Sequence, residues 1–387
     1  MPPLLSLFAF ANLVIGSGAF VVSSLVTPMA ADLGTSVAGA GQAMTAYALS
    51  TAALAPVLLI ATGRWSRRSA LLAALALFAG GNLVCALAPD LATLLAGRVL
   101  MGVGAAFTPI AAGIAVALSE PARRGQALAY VFLGMSLSYV VGIPLGAWLG
   151  LAWGWRWTVG AAGGVAIGVL GLVAWRVPRD VKAPGASFAG LGVLLSQPGV
   201  TWPLVMTLLY FTAIFSVFSF IGPVLQALNE TTANRLAITL ALFGVAGAVG
   251  TVVGGWANDR FGTRRTLIVQ LGVLAAMLAA VPLTTGVYPL TLAALLVWGM
   301  AGFGMMAPQQ SRLADAAGAQ APLALSLNTS MLYGGTAIGA VVGGLASPVL
   351  GFARIAWAGL PFALAALAVL ILTRPTSTTM RSAKEDA

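Results

Sequence analysis

The chain has 387 residues, enough for two or three soluble domains, but 60% are hydrophobic and only 7% charged, against roughly 25% charged in a soluble domain. Its solvent is therefore lipid, and with no histidine and a single cysteine, Cys85, it has no means to build a histidine or thiolate metal site, a histidine triad or an intramolecular disulfide. The net charge of +10 lies in short clusters between long apolar runs, not along a stripe with interleaved aromatics, so the expected partner is a lipid bilayer and not nucleic acid, and no metal or cofactor is expected.

Runs of ~17–25 apolar residues cross ~30 Å of hydrocarbon. Twelve are predicted: Leu4–Met29, Ala38–Ala61, Ala70–Leu87, Leu91–Leu118, Gln126–Leu149, Trp157–Trp175, Trp202–Leu225, Leu236–Trp256, Thr266–Leu283, Leu290–Ala307, Leu323–Val349 and Ile355–Leu372. Alternating periodicity is absent, so these are helices, which satisfy their own backbone in lipid. The first has neither a basic leader nor a small-residue cleavage site and is expected to be retained. Of the nineteen basic residues, only Arg156, Arg235 and Arg354 follow odd-numbered segments, and Arg98 lies inside the fourth segment. The others follow even-numbered segments, which predicts both termini in the cytoplasm of a multi-pass inner or plasma membrane protein. Most tryptophans sit at segment ends as interfacial anchors; Trp298 lies well inside a span. The longest connector divides the chain into a six-helix bundle (1–175), a cytoplasmic connector (176–201) with Asp180, Lys182, Pro184 and Gly185, a second six-helix bundle (202–373), and a polar tail (374–387).

The two halves repeat at an offset near 200 residues. Arg98-Val-Leu-Met-Gly102-Val-Gly104 in the fourth segment pairs with Trp298-Gly-Met-Ala-Gly302-Phe-Gly304 in the tenth. Gly63-Arg64-Trp65-Ser66-Arg67-Arg68 after the second pairs with Asp259-Arg260-Phe261-Gly262-Thr263-Arg264-Arg265 after the eighth. The fifth and eleventh carry Gly142/Gly146/Gly150, with Pro144 between, and Gly335/Gly339/Gly343. Six spans per half place both copies in the same orientation, and parallel repeats of this kind enclose a mid-membrane site in secondary transporters. The glycines fit close helix packing.

At these residues the chain resembles the major facilitator superfamily, and within it the twelve-span drug:proton antiporter group, in its sugar-efflux, arabinose-efflux-permease-like branch. The loop Gly254-Gly255-Trp-Ala-Asn-Asp259-Arg260-Phe-Gly262-Thr-Arg264-Arg265, the Arg98 motif, Gly142-Ile-Pro144-Leu-Gly146 with Gly154-Trp155-Arg156, and Leu327-Asn328-Thr329-Ser330 carry the likeness. Two departures stand out. The first segment reads Gly16-Ser17-Gly18-Ala19-Phe20, without the glutamate usual in this branch, and the first loop copy has Gly63 where an acid is usual. The resemblance implies an all-α fold of two six-helix bundles, a cavity lined by segments one, four, seven and ten, a monomer, and loop arginines that close a cytoplasmic gate with Asp259.

Asn12, Arg98, Tyr210, Ser216, Ser219, Trp298, Met305 and Gln309 are the candidate substrate-cavity residues, with Tyr47, Tyr139, Asn328 and Tyr333 as further candidates; Arg64, Arg68, Asp259, Arg260 and Arg264 are the candidate gate. Small residues at the same helical spacing equally mark packing, polar ones in lipid equally mark a tie to a neighbouring helix, and the loop arginines equally serve topology. Met305-Met306 reads as an adaptable apolar wall or as filler. Arg98 is the one charge inside a span, at an insertion cost of at least ~2.5–3.5 kcal/mol. It reads as a carbonyl-capping arginine holding helices together, as an anion anchor, or as a partner for Asp32. None of the nine acids falls in a span core, whereas a proton-coupled carrier ordinarily needs a buried carboxylate. The expected function is export of a small amphipathic, neutral or anionic molecule by alternating access, with protons a candidate partner. The alternatives are a uniporter or importer of a small metabolite, and, more remotely, a membrane sensor or enzyme.

Overall fold

The computed structural model describes residues 2–120, 123–179, 181 and 191–373, which are helical throughout apart from short turns, with no strand among the described residues. The expectations for Asp180, Lys182, Pro184 and Gly185 and for the tail 374–387 lie outside the described residues. Among the described residues, twelve spans are long and apolar enough to cross a membrane. In chain order, span 1 is Pro2–Phe20, continued by Val22–Asp32. Spans 2 to 6 are Val37–Arg64, Arg67–Ala86, Leu91–Ala117, Arg124–Trp153 and Trp155–Arg176. Span 7 is Pro198–Phe218, continued by Ile221–Asn229. Spans 8 to 12 are Ala233–Phe261, Thr263–Thr284, Tyr288–Ala317, Ala321–Leu350 and Phe352–Leu372.

The helices start and stop where the chain supplies caps. Ser36, Ser66, Asp90 and Thr232 each accept from the backbone N–H three residues on, opening spans 2, 3, 4 and 8. The Thr93 N–H, 2.8 Å from the Asp90 carboxylate, holds that carboxyl below the usual range. Gly154 and Gly262, at φ 99° and 81°, turn the chain between spans 5 and 6 and between spans 8 and 9. Span 7 begins at Pro198, inside the stretch expected as connector, because a first-turn proline has no helical bond to lose. Just before it, a short helix, Leu191–Leu195, buries Leu194 against Val200, Leu204, Leu313 and Ala324.

Spans 1, 4, 7 and 10 all break near mid-membrane, at Val21, Ala105–Ala106, Ser219–Phe220 and Met305. In three of them a proline supplies the cause. Pro109 and Pro223 lie four residues after the break residues Ala105 and Ser219, and Pro308 lies four residues after Gly304, which directly precedes the break at Met305; each ring displaces that carbonyl. Span 1 has no such proline. There the hydroxyls of Ser23 and Ser24 donate to the carbonyls of Phe20 and Val21 at 2.7 and 2.6 Å, competing with the helical ladder. The repeat read in the sequence thus reappears as a shared discontinuity in four helices.

Within each half, a glycine row lets backbones approach. Gly142, Gly146 and Gly150 of span 5 face Ser17, Val21 and Leu25 of span 1, with Pro144 buried beside them. Gly335, Gly339 and Gly343 of span 11 lie on the carbonyls of Leu208, Thr212 and Ser216 of span 7. The matched four-residue steps are those of helices packed along their i, i+4 ridges.

The two halves meet unevenly along their length. One end of the molecule carries Arg64, Arg68, Arg260, Arg264 and Arg312, and is called the basic end; the other carries Asp32, Asp90, Arg156 and Glu230, and is called the far end. Toward the far end the halves are in backbone contact. Gly222 abuts the Ser24 carbonyl, Gly244 the Tyr139 carbonyl, Gly41 the Phe220 ring, and Gly344 the Gln42 amide. Trp148 Nε1 donates to Asn234 Oδ1 at 2.8 Å across the same seam. At the basic end Arg64, Asp259, Arg260 and Arg264 are exposed, and among the described residues none of them forms an ion pair. The far end is closed and the basic end open.

A methyl group at Gly222 or Gly244 collides with backbone of the opposite half, which has no side chain to move aside. Gly222→Ala and Gly244→Ala are expected to disfavour far-end closure by about 1–3 kcal/mol. The measurement is labelling of Asn234→Cys by a membrane-impermeant thiol reagent, which should speed up in either glycine variant; an unchanged rate in both removes this account of the seam.

Candidate functional site

Arg98 enters lipid seven residues into span 4 and is 1% exposed. Its guanidinium donates to three backbone carbonyls: Nε to Ala43 at 3.0 Å, Nη1 to Gly18 at 3.0 Å and Nη2 to Ala19 at 2.6 Å. Gly18 and Ala19 immediately precede the break in span 1, so the cation caps the disturbed turn and joins spans 1, 2 and 4. The Tyr47 ring lies 4.7 Å from the guanidinium carbon and adds a cation–π contact. Asp32 is not the partner of Arg98. It pairs with Arg156 and accepts from Trp155 Nε1 at 3.0 Å, while Arg156 also donates to the Ala88 carbonyl at 2.7 Å. The break at Val21 and the helix beyond it carry Asp32 to the far end, beside the start of span 6, whereas Arg98 is held at the break itself.

Asn12 and Gln309 each tie three helices of their own half. Asn12 accepts from Thr108 at 2.6 Å and donates to the Val131 carbonyl at 2.9 Å, linking spans 1, 4 and 5. Gln309 donates to the Pro203 carbonyl at 2.6 Å and to Thr207 at 2.9 Å, and Thr207 donates to Asn328 at 2.6 Å, linking spans 7, 10 and 11. These are equivalent helices of the repeat, joined by different residue types at equivalent places.

The remaining cavity candidates are also fully buried. Ser216 faces Gly343 and Gly359 of spans 11 and 12 and donates to the Ala213 carbonyl at 2.8 Å, which turns it away from the opposite half. Tyr210 donates to the Met306 sulfur at 3.6 Å, and Met305 is enclosed in the core. Trp298 packs edge-on against Phe243 with ring centroids 5.6 Å apart. Among the described residues, the Trp298 indole N–H, the Ser219 hydroxyl and the Gln309 carbonyl oxygen have no hydrogen-bond partner.

The structure also assembles a group that sequence reasoning did not single out. Phe20 packs against Tyr47, Tyr139 and Phe215 at 6.4, 5.4 and 5.7 Å. Tyr139 meets Phe218 and Phe303 at 6.2 and 4.9 Å, and Tyr47 meets Tyr333 at 6.2 Å. Rings from spans 1, 2 and 5 thus interlock with rings from spans 7, 10 and 11 at mid-membrane. Tyr47, Tyr139 and Tyr333 were legible in the sequence only as further cavity candidates, one by one. Phe20, Phe215, Phe218 and Phe303 carried no such signal, since a phenylalanine in a span is equally a lipid contact.

At the basic end, Arg68 donates to the Ala174 carbonyl of span 6 and Arg264 to the Ile371 carbonyl of span 12 at 2.9 Å. Each joins helices of one half at a helix C-terminus, where a cation is favoured. Asp259 accepts a 3.4 Å bond from its neighbour Asn258, and Arg64 and Arg260 point to solvent. The candidate gate is apart in this conformation.

Two substitutions test the buried polar contacts. Arg98→Met keeps an apolar stem but strips three buried carbonyls of a charged donor; Thr207→Val removes two hydrogen bonds without changing shape. Each left-over buried group costs about 1–3 kcal/mol. Both variants are therefore expected to unfold at lower temperature in detergent, Arg98→Met the more so, and equal stability to the parent protein rejects the assignment.

Comparison with known proteins agrees with this geometry. The model of the Major Facilitator Superfamily matches residues 8–321. Inner membrane transport protein YdhP of Escherichia coli strain K12 is 30% identical over 345 residues, covering 88% of this chain and 88% of that protein. A probable sugar efflux transporter of Mannheimia succiniciproducens is 26% identical over 352 residues, covering 91% of this chain and 88% of that protein. Among solved structures, a bacterial homologue of the human lysosomal transporter Spinster, in an inward-facing and occupied conformation, superposes with a TM-score of 0.80 at 17% identity over 95% of both chains, a likeness of fold. Twelve spans in two repeated halves, a family match over most of the length and relatives that are transporters and not enzymes lead to one conclusion: the chain is a multi-pass membrane transporter and belongs to the Major Facilitator Superfamily.

Proposed function

We propose that the protein exports a small amphipathic molecule, neutral or anionic, by alternating access. The single observation that carries this reading is the uneven seam. The halves are in backbone contact from mid-membrane to the far end and apart at the basic end, around an interlocked belt of aromatic rings. The excess of arginine at the open end supports a cytoplasmic location for that end and for both termini, which makes this conformation inward-facing. A relative named as a probable sugar efflux transporter supports the outward direction. In the reverse conformation Arg64, Arg68, Asp259, Arg260 and Arg264 come together as the inner gate, and a single chain suffices for the cycle.

A second reading, flux without proton coupling, is favoured by the placement of the acids. Asp32, Asp90, Glu120, Glu230, Asp259 and Asp315 all stand at or near span ends, and the glutamate usual in span 1 of this branch is Ala19. Among the described residues no interior carboxylate is at hand to take up a proton as the site changes sides.

Accumulation of a chemically mixed fluorescent panel, in cells with and without the protein and with and without a protonophore, distinguishes these readings. Lower accumulation in expressing cells supports export; its loss on adding protonophore supports proton coupling, and its persistence supports uncoupled flux. Unchanged or raised accumulation across the panel rejects export. Asp259→Asn, exposed and outside the folded core, is expected to slow that flux by about tenfold or more at unchanged expression. A near-normal rate removes the gate assignment.

A further inference from the structure

The Tyr47 hydroxyl is fully buried at mid-membrane, and among the described residues it has no hydrogen-bond partner. A buried donor left unpaired is costly, so a native structure that keeps one calls for a physical reason. Tyr47 belongs to span 2 and Tyr333 to span 11, and their rings meet edge to face at 6.2 Å across the seam between the halves. Behind Tyr47 stands Arg98, whose three carbonyl partners accept from its guanidinium but carry no formal charge. Among the described residues no carboxylate lies near it: Asp32, at the far end of span 1, is engaged by Arg156. Beside the two phenols lie the apolar faces of Phe20, Tyr139 and Phe215. This place therefore offers two hydroxyl donors, an un-neutralised cation behind one of them and flat apolar walls, and it offers no acid.

Resting on the reading of the protein as an exporter of a small amphipathic solute, we propose that the substrate is a monovalent organic acid with a flat apolar body, its carboxylate held between the Tyr47 and Tyr333 hydroxyls in the field of Arg98. An ionised carboxylate accepts from both phenols and supplies the negative charge that Arg98 lacks; a charge-assisted bond of this kind is about twice as strong as a neutral one. An amide of the same shape keeps the packing and loses the charge. An amine brings a second cation toward Arg98 in a low-dielectric place with nothing to offset it. The exposed arginines of the open end, Arg64, Arg260 and Arg264, draw anions toward the opening. Because the two hydroxyls come from opposite halves, the bound carboxylate also bridges the halves and favours the conformation in which Tyr47 and Tyr333 face each other. Arg98 acts here through its field as a positioning residue, and the two tyrosines make the contact.

Calorimetric titration of the purified full-length protein in detergent at pH 7 tests this with three probes of one shape: 1-naphthoate, 1-naphthamide and 1-naphthylmethylamine. Naphthoate is expected to bind about tenfold more tightly than the amide, as one charge-assisted hydrogen bond allows, and the amine not measurably. The double variant Tyr47→Phe and Tyr333→Phe keeps both rings, and with them the packing. It is expected to abolish most of naphthoate's preference over the amide, since the acid loses charge-assisted bonds and the amide only neutral ones. Equal binding of acid and amide, or an undiminished preference in the double variant, overturns the proposal. If naphthoate fails to bind while neutral compounds are exported from cells, the anionic class is wrong and the export reading stands; if the cells also export nothing, both fall.

Discussion

The structure depends on how a single positive charge is kept in hydrocarbon. Among the described residues Arg98 has no acid to neutralise it, and its burial is made tolerable by three main-chain carbonyls and an aromatic face. Two of those carbonyls are available as partners where span 1 breaks, so the cation and the break support each other. The break needs a donor for its carbonyls, and the cation needs oxygen atoms that a regular helix keeps for itself. This interaction locks spans 1, 2 and 4 together and sets the direction of span 1 beyond Val21. It thereby places Asp32 at the far end, next to Arg156, and Phe20 at the centre of the aromatic belt.

The second half solves the equivalent problem without a charge. Trp298 stands where the repeat has Arg98, and the break in span 7 comes from Pro223 instead of a side-chain donor. The ties among spans 7, 10 and 11 run through Gln309, Thr207 and Asn328, as those among spans 1, 4 and 5 run through Asn12 and Thr108. The two halves are alike in geometry and unlike in electrostatics: the first carries a fixed interior cation, the second is neutral. Their seam at the far end is made where glycines let backbones touch, so its closure is steep with distance. A contact between main chains has no side chain to yield, which suits an interface that is either shut or open.

Sequence reading went far with this chain because lipid is a demanding solvent. The number and order of the spans, the parallel repeat, the family and the glycine rows followed from apolar run lengths and recurring motifs, since every span has to satisfy its own backbone and meet neighbours closely. Among the competing readings of Arg98, carbonyl capping was legible and Asp32 as its partner was not, because pairing depends on where a broken helix leads. Asn12 and Gln309 were legible as polar groups needing partners, but the partners themselves lie 119 and 106 residues away in the chain. Ser216 stood among the cavity candidates and yet turned toward spans 11 and 12.

What the sequence determined by itself was the medium, the crossing number, the repeat and the residues that could not be left alone in lipid, all of which depend on composition and spacing along one helix. Tertiary structure alone decided which of those residues meet, which rings interlock at the centre, that the loop arginines and Asp259 stand apart, and that the far end is the closed one. Those outcomes depend on the relative placement of two bundles that can pack in more than one arrangement, and hydrophobic periodicity carries no record of which arrangement is adopted.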